Sequence, residues 1–192
     1  MDIILNTRFN NANLPVVLRP GFVDSFDRGA GTLMQTDDRK TWEQLGTAWG
    51  TTGDGAAMGS SEVFANALSA DGTLTVKLRK VDVDGDKRGG VSFRVVDRYN
   101  YIRICPNTSG KLTLYVFEDN SIAESASTES TLADGDVLAV SGNGASIVVQ
   151  INGSTVLSYE TERYRTATKH GLFSWGSNNT EFEHVEFRAK GA

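Results

Sequence analysis

Residues 146 to 159 read Ser146-Ile147-Val148-Val149-Gln150-Ile151-Asn152-Gly153-Ser154-Thr155-Val156-Leu157-Ser158-Tyr159. Two runs rich in β-branched residues flank Asn152-Gly153. A type I′ turn needs positive φ at both central residues, which asparagine and glycine tolerate best. The stretch therefore predicts two antiparallel strands joined by a two-residue turn.

Upstream of this hairpin the same grammar repeats. Gly135-Asp136 opens a strand over Val137 to Ser141, and Lys111 to Phe117 and Tyr99 to Cys105 form two more, separated by the loop Pro106 to Gly110. Val91, Phe93 and Val95 alternate with Ser92 and Arg94, while Leu74, Val76 and Leu78 alternate with Thr75, Lys77 and Arg79. Period-two alternation of this kind predicts half-buried strands. Downstream, Gly171 to Trp175 and Phe182 to Ala189 flank the polar turn Gly176 to Asn179. No 11-residue window sustains a helical period, although Ser60 to Leu68 has room for a helical turn or two. Strands recurring about every 8 to 12 residues predict an all-β, antiparallel sandwich or barrel. Residues 1 to 20 differ, with Asn10-Asn11-Ala12-Asn13, Pro15 and Pro20. They read as an extended N-terminal arm ahead of one domain over residues 21 to 192.

Composition narrows the function. The 192 residues are 39% hydrophobic, and 20 glycines against 3 prolines fit many tight turns in a folded chain. A net charge of -5 with no lysine or arginine cluster removes the electrostatic footprint for phosphate backbones, so neither nucleic acid nor an anionic membrane is an expected partner. Cys105 is the one cysteine, which excludes an intrachain disulfide. Its place in an alternating apolar run predicts a buried, unreactive thiol. Met1-Asp2-Ile3 begins with an acid where an export signal carries positive charge. No stretch approaches the roughly 20 apolar residues of a membrane-spanning helix. A soluble protein made without an export signal is the expectation.

Several segments in order resemble the laminin G-like, concanavalin A-like jelly-roll modules of bacteriophage tail and other virion proteins. They are Phe22 to Arg28, the pair Trp42 and Trp49 leading to Gly53-Asp54-Gly55, and Gly90 to Asp97 with Asn100-Tyr101. Gly135-Asp136, Ile151-Asn152-Gly153 and Gly171-Leu172-Phe173 follow, before a closing strand with Phe182, Val185 and Phe187. The resemblance spans about residues 21 to 189. It implies an antiparallel two-sheet jelly-roll β-sandwich used to bind glycans or to build virion appendages.

Four groups of residues bear on chemistry. Glu181-Phe182-Glu183-His184-Val185-Glu186 loosely resembles the Glu-x-Asp-x-x-Glu signature of family 16 glycoside hydrolases, whose chemistry needs two carboxylates roughly 5 to 9.5 Å apart. The middle acid is one methylene longer, and the motif lies on the last strand with Phe182, Val185 and Phe187 claiming the buried phase, so a charged, solvated face is expected. Asp82-Val83-Asp84-Gly85-Asp86 offers hard oxygen ligands, but Lys87-Arg88 follow at once and a solvated loop fits better than calcium. His170 and His184 lack further ligands or a nucleophile elbow, and both are expected at the surface or an edge. Finally, Tyr159, Tyr164, Trp175, Asn178 and Asn179 supply the aromatic and amide groups that bind sugars, set against a packing role for Trp42, Trp49 and Trp175.

The sequence thus leads to a non-catalytic bacteriophage virion protein, a minor tail or decoration component, with no cofactor and no metal. Its expected partners are a host-surface glycan or other virion subunits, engaged as a homo-oligomer or within the virion. A glycoside hydrolase or lyase acting on cell-wall polysaccharide, and a purely structural capsid or tail spacer, are the alternatives.

Overall fold

Alternation along residues 72 to 80 sets the architecture. Leu74, Val76 and Leu78 are fully buried while Thr75 and Lys77 between them are partly exposed, so one face of this strand lies on an oily layer and the other meets water. The computed structural model describes residues 20–45, 49–81, 88–175 and 180–191, and every regular element among them is a strand. The N-terminal arm up to residue 19, the acidic stretch Asp82 to Asp86, and Asn178 and Asn179 lie outside the described residues.

In chain order the strands are β1 (Phe22–Asp24), β2 (Gly31–Thr32), β3 (Trp42–Leu45), β4 (Gly50–Thr51), β5 (Ala57–Met58), β6 (Ser61–Asn66), β7 (Gly72–Lys80) and β8 (Arg88–Val95). They continue as β9 (Tyr101–Pro106), β10 (Leu112–Glu118), β11 (Ser121–Ser127), β12 (Val137–Asn143), β13 (Ser146–Ile151), β14 (Ser154–Glu160), β15 (Lys169–Trp175) and β16 (Glu181–Ala189). One sheet runs β14-β13-β12-β7-β16-β5-β4-β2 with β1 beside β16, and the other runs β11-β10-β9-β8-β15-β6-β3. All pairings are antiparallel. Between the sheets lies a single large core in which Leu74, Val140 and Phe182 of the first meet Val91, Ile102 and Leu172 of the second. Each such side chain contributes about 1.5–3 kcal/mol by leaving water.

The Asn152-Gly153 turn has φ of 50° and 80°, as type I′ requires. One expectation is corrected by β6. Within Ser60 to Leu68 the chain forms β6 (Ser61–Asn66) rather than helix; Val63 and Ala65 point to the core while Glu62 and Phe64 pair with Phe173 and Gly171 on the opposite face. The region from Ser121 to Ser127 is strand β11, joined to β10 by a second two-residue turn at Asp119-Asn120, with φ of 49° and 64°. Its small polar residues hid it because it is an edge strand with little to bury.

Arg94 also departs from simple alternation. The register of β8 against β15 slips between Lys169 and Gly171, and Arg94 sits in the bulge at φ 50°. A bulge re-aims a side chain, and here the guanidinium turns inward to full burial, donating to Asp71 Oδ1 (2.9 Å) and Ala70 O (3.3 Å). Its backbone N–H donates to His170 Nδ1 (3.2 Å). His170 is therefore no surface histidine. It is fully buried between Phe93 and Phe187, and Nε2–H donates to Ser69 O (3.0 Å). His184 on β16 is partly exposed.

Candidate functional site

The strands at the centre of the seven-stranded sheet are apolar in both phases. On β9, Ile102 and Ile104 enter the core, while Tyr101, Arg103 and Cys105 occupy the outward phase. On β15, Leu172 enters the core, while Phe173 and Trp175 face outward. Residues of alternate parity share a face, so the outward phases of β6, β15, β9 and β10 assemble Phe64, Phe173, Tyr101 and Phe117 into a second apolar layer. The register places Glu62 opposite Phe173 across β6–β15, Phe173 opposite Gly90 across β15–β8, and Tyr115 opposite Arg103 across β10–β9. Gly90 and Gly171 are forced at this centre. A Cβ on either would lie about 2 Å from the carbonyl oxygen of a neighbouring strand, at Ile104 and Val63 respectively.

Arg103 organises the layer. Its guanidinium carbon lies 3.8 Å from the Phe173 ring centroid, 4.8 Å from Phe117 and 5.1 Å from Tyr101. Nη2 donates to Glu62 Oε1 and to the Tyr101 hydroxyl (2.6 Å). Ser61 donates to the other Glu62 oxygen at 2.8 Å, so the buried carboxylate is held on both sides. Tyr101 stacks on Phe117 at 4.9 Å, and burial first of all pushes its hydroxyl up to about 12. Cys105 is buried in the same layer, and burial pushes its thiol up to about 11, which leaves it protonated and inert at neutral pH.

Above this layer run two adjoining hollows of about 220 and 450 Å³ that share Arg103 and Trp175. The smaller is walled by Tyr115, Ile122 and Phe173; the larger by Glu62, Tyr99, Tyr101 and Asn120. Trp175 is 55% exposed and Tyr99 42% exposed, so two rings stand free at the margins of an otherwise packed trough. The Tyr99 turn is fixed by Asp97, whose Oδ1 accepts from the backbone N–H groups of Tyr99 (2.7 Å) and Asn100 (3.0 Å).

Of the described residues that the sequence offered for sugar binding, Trp175 alone lines these hollows. Tyr159 donates to Glu124 (3.0 Å) and Tyr164 to Phe117 O (2.6 Å), and both rings pack against the core. Asn178 and Asn179 lie outside the described residues. Trp42 and Trp49 are buried, as a packing role requires. Glu181, Glu183 and Glu186 lie in the other sheet, on β16, and are ion-paired with Arg79 (3.5 Å), Lys77 (2.9 Å) and Arg188 (2.6 Å). They form the charged face that the sequence suggested. Among the described residues no group of three acidic, histidine or cysteine side chains has the geometry of a metal site. Glu62, Tyr99, Tyr101, Arg103 and Phe173 were not singled out from sequence. For Tyr101 and Phe173 the signal was the aromatic or apolar content of both phases of β9 and β15, the mark of a sheet covered on both faces.

In sequence, the chain matches no protein-family model and no curated protein. In structure it is similar to a lichenase, a β-1,3-1,4-glucanase derived from a mouse hindgut metagenome, at TM-score 0.62 and 12% identity, over 88% of this chain and 99% of that one. The fold is a concanavalin A-like jelly roll. The Crh5 transglycosylase matches at TM-score 0.60 and 10% identity, over 91% and 86% of the two chains. The carbohydrate-binding module CBM66 from Bacillus subtilis matches at TM-score 0.52 and 15% identity, over 84% and 96%. These likenesses correct the expectation of a non-enzyme: nearly the whole length of a glucanase superposes on this sandwich, so the architecture is one that glycan-cleaving enzymes also use.

Proposed function

We propose that the chain binds a carbohydrate in the trough on the outer face of the seven-stranded sheet. The observation that carries this is the pair of exposed rings, Trp175 and Tyr99, at the margins of hollows whose floor holds Arg103, Glu62 and Tyr101. A sugar ring presents apolar C–H faces to aromatics and hydroxyls to charged and polar groups. Rigid rings and pre-paired polar groups limit the ordering cost of binding. Similarity of fold to carbohydrate-binding and carbohydrate-cleaving domains supports the reading.

The resemblance to phage tail and virion modules supports a setting for it, in which the domain belongs to a virion assembled in the host cytoplasm and attaches the particle to a host-surface glycan or to other virion subunits. A shallow site binds weakly, and copies held in a symmetric assembly gain avidity through effective concentration.

Retention on immobilised polysaccharides tests the proposal. The wild-type protein is expected to be held by at least one polymer and Trp175→Ala to pass through; equal retention of both sets the trough aside. Assay of the same mixtures for new reducing ends addresses cleavage. Glu62 is the one carboxylate among the described residues lining the two hollows, so reducing ends that vanish in Glu62→Gln while the variant is still retained on the polysaccharide would assign it the proton-transfer role.

A further inference from the structure

Resting on the carbohydrate reading above, we infer that the ligand of the trough is an acidic polysaccharide, one that bears carboxylate or phosphate groups. The chain carries a net charge of -5, yet the lining of the two hollows reverses that sign. Among the described residues there, Arg88, Arg98 and Arg103 stand against Glu62. Arg88 is engaged within the fold, and the balance holds without it. Arg103 and Glu62 neutralise one another, and Arg98 remains.

Arg98 lies exposed in the turn between β8 and β9, its guanidinium 4.8 Å from the centroid of the exposed Tyr99 ring. The neighbouring carboxylate, Asp97, is taken up by the turn: Oδ1 accepts from the backbone of Tyr99 and Asn100, and Oδ2 accepts from Asn100 Nδ2 at 3.0 Å. No ion pair joins Arg98 to a described residue. The guanidinium lies over the Tyr99 ring, and an exposed guanidinium fork takes a carboxylate or phosphate bidentately. Tyr99 beside it offers the face on which the sugar bearing that group rests. A neutral glycan would leave this cation without a partner on binding, whereas an acidic one supplies it.

The test measures affinity for three soluble polymers: polygalacturonate, the same polymer with its carboxyls reduced to alcohols, and a phosphomannan. Wild-type protein is expected to bind polygalacturonate or phosphomannan at least tenfold more tightly than the reduced polymer, and which of the two it prefers tells carboxylate from phosphate. Raising sodium chloride from 50 to 500 mM weakens that binding, Arg98→Gln lowers it about tenfold, and Arg98→Lys retains part of it. Equal affinity for the reduced polymer, or no loss in Arg98→Gln, overturns the acidic ligand. In that case loss of binding in Trp175→Ala still upholds a carbohydrate site. Failure of the wild-type protein to bind any polysaccharide, here or in the wider panel, overturns both.

Discussion

The guanidinium of Arg103 lies 3.8 Å from the ring centroid of Phe173, on the outward face of a sheet whose inward face is the core. A cation with only 16% of its side chain exposed needs both the ring and a counter-ion, and Glu62, 9% exposed, is that counter-ion. The trough floor is therefore a second packed layer with a charge pair built into it, distinct from a solvated sheet face.

Removing one partner of this pair leaves the other buried and unpaired. Glu62→Gln is expected to destabilise the fold by about 3 kcal/mol, lowering the thermal midpoint by roughly 10 °C for a domain of this size. Scanning calorimetry on the wild-type and variant proteins reads it, and a midpoint within a degree of wild type would contradict the layered account.

A second buried carboxylate ties the opening motif to the core. Asp24 is fully buried and accepts from Arg28 Nη1 (2.8 Å) and Nη2 (2.7 Å), Trp42 Nε1 (2.8 Å) and the Phe26 N–H (2.9 Å). Arg28→Met strips away its counter-ion and is expected to cost about 3–5 kcal/mol. The midpoint of urea denaturation is expected to fall at an unchanged slope, and an unchanged midpoint would show the pair to be incidental.

His170 gives the fold an acid sensitivity. Burial pushes its imidazole from 6.5 down to about 3, so the folded state holds it neutral while the unfolded chain takes up a proton below about pH 6.5. The stability it protects is present in full above that pH and is lost as pH falls from 6.5 toward 3, at roughly 1 kcal/mol per pH unit. His170→Phe keeps a ring in the stack with Phe93 and Phe187 but cannot titrate. The variant is expected to lose less stability than wild type between pH 7 and 4.5, whatever its stability at pH 7, and parallel losses would remove His170 from the account.

How far these features were legible varies with their physical origin. The Asn152-Gly153 hairpin and the alternation of Leu74, Val76 and Leu78 follow from local backbone and solvation preferences, which short stretches carry in full. Strand β11 escaped because Ser121 to Ser127 holds its place by pairing with β10 and buries little of its own. Arg94 and His170 misled for a different reason. A one-residue bulge in β8 reverses which way Arg94 points, and its backbone then supplies the partner that lets His170 stay inside. The trough was hidden in plain sight: Tyr101, Arg103 and Phe173 were read as members of strands, and only the pairing of β6, β15, β8, β9 and β10 brings them together. The exposure of Trp175 was legible because a large aromatic ahead of a polar turn is a surface signal as well as a core one.

The central claim is that Trp175 and Tyr99 form the contact surface for a sugar, and titration calorimetry with a polysaccharide that retains the wild-type protein tests it most directly. Trp175→Ala and Tyr99→Ala are each expected to weaken binding about tenfold or more with the thermal midpoint unchanged. Full affinity in both variants, or a comparable loss confined to Tyr159→Phe and Tyr164→Phe, would place the ligand elsewhere and contradict the account.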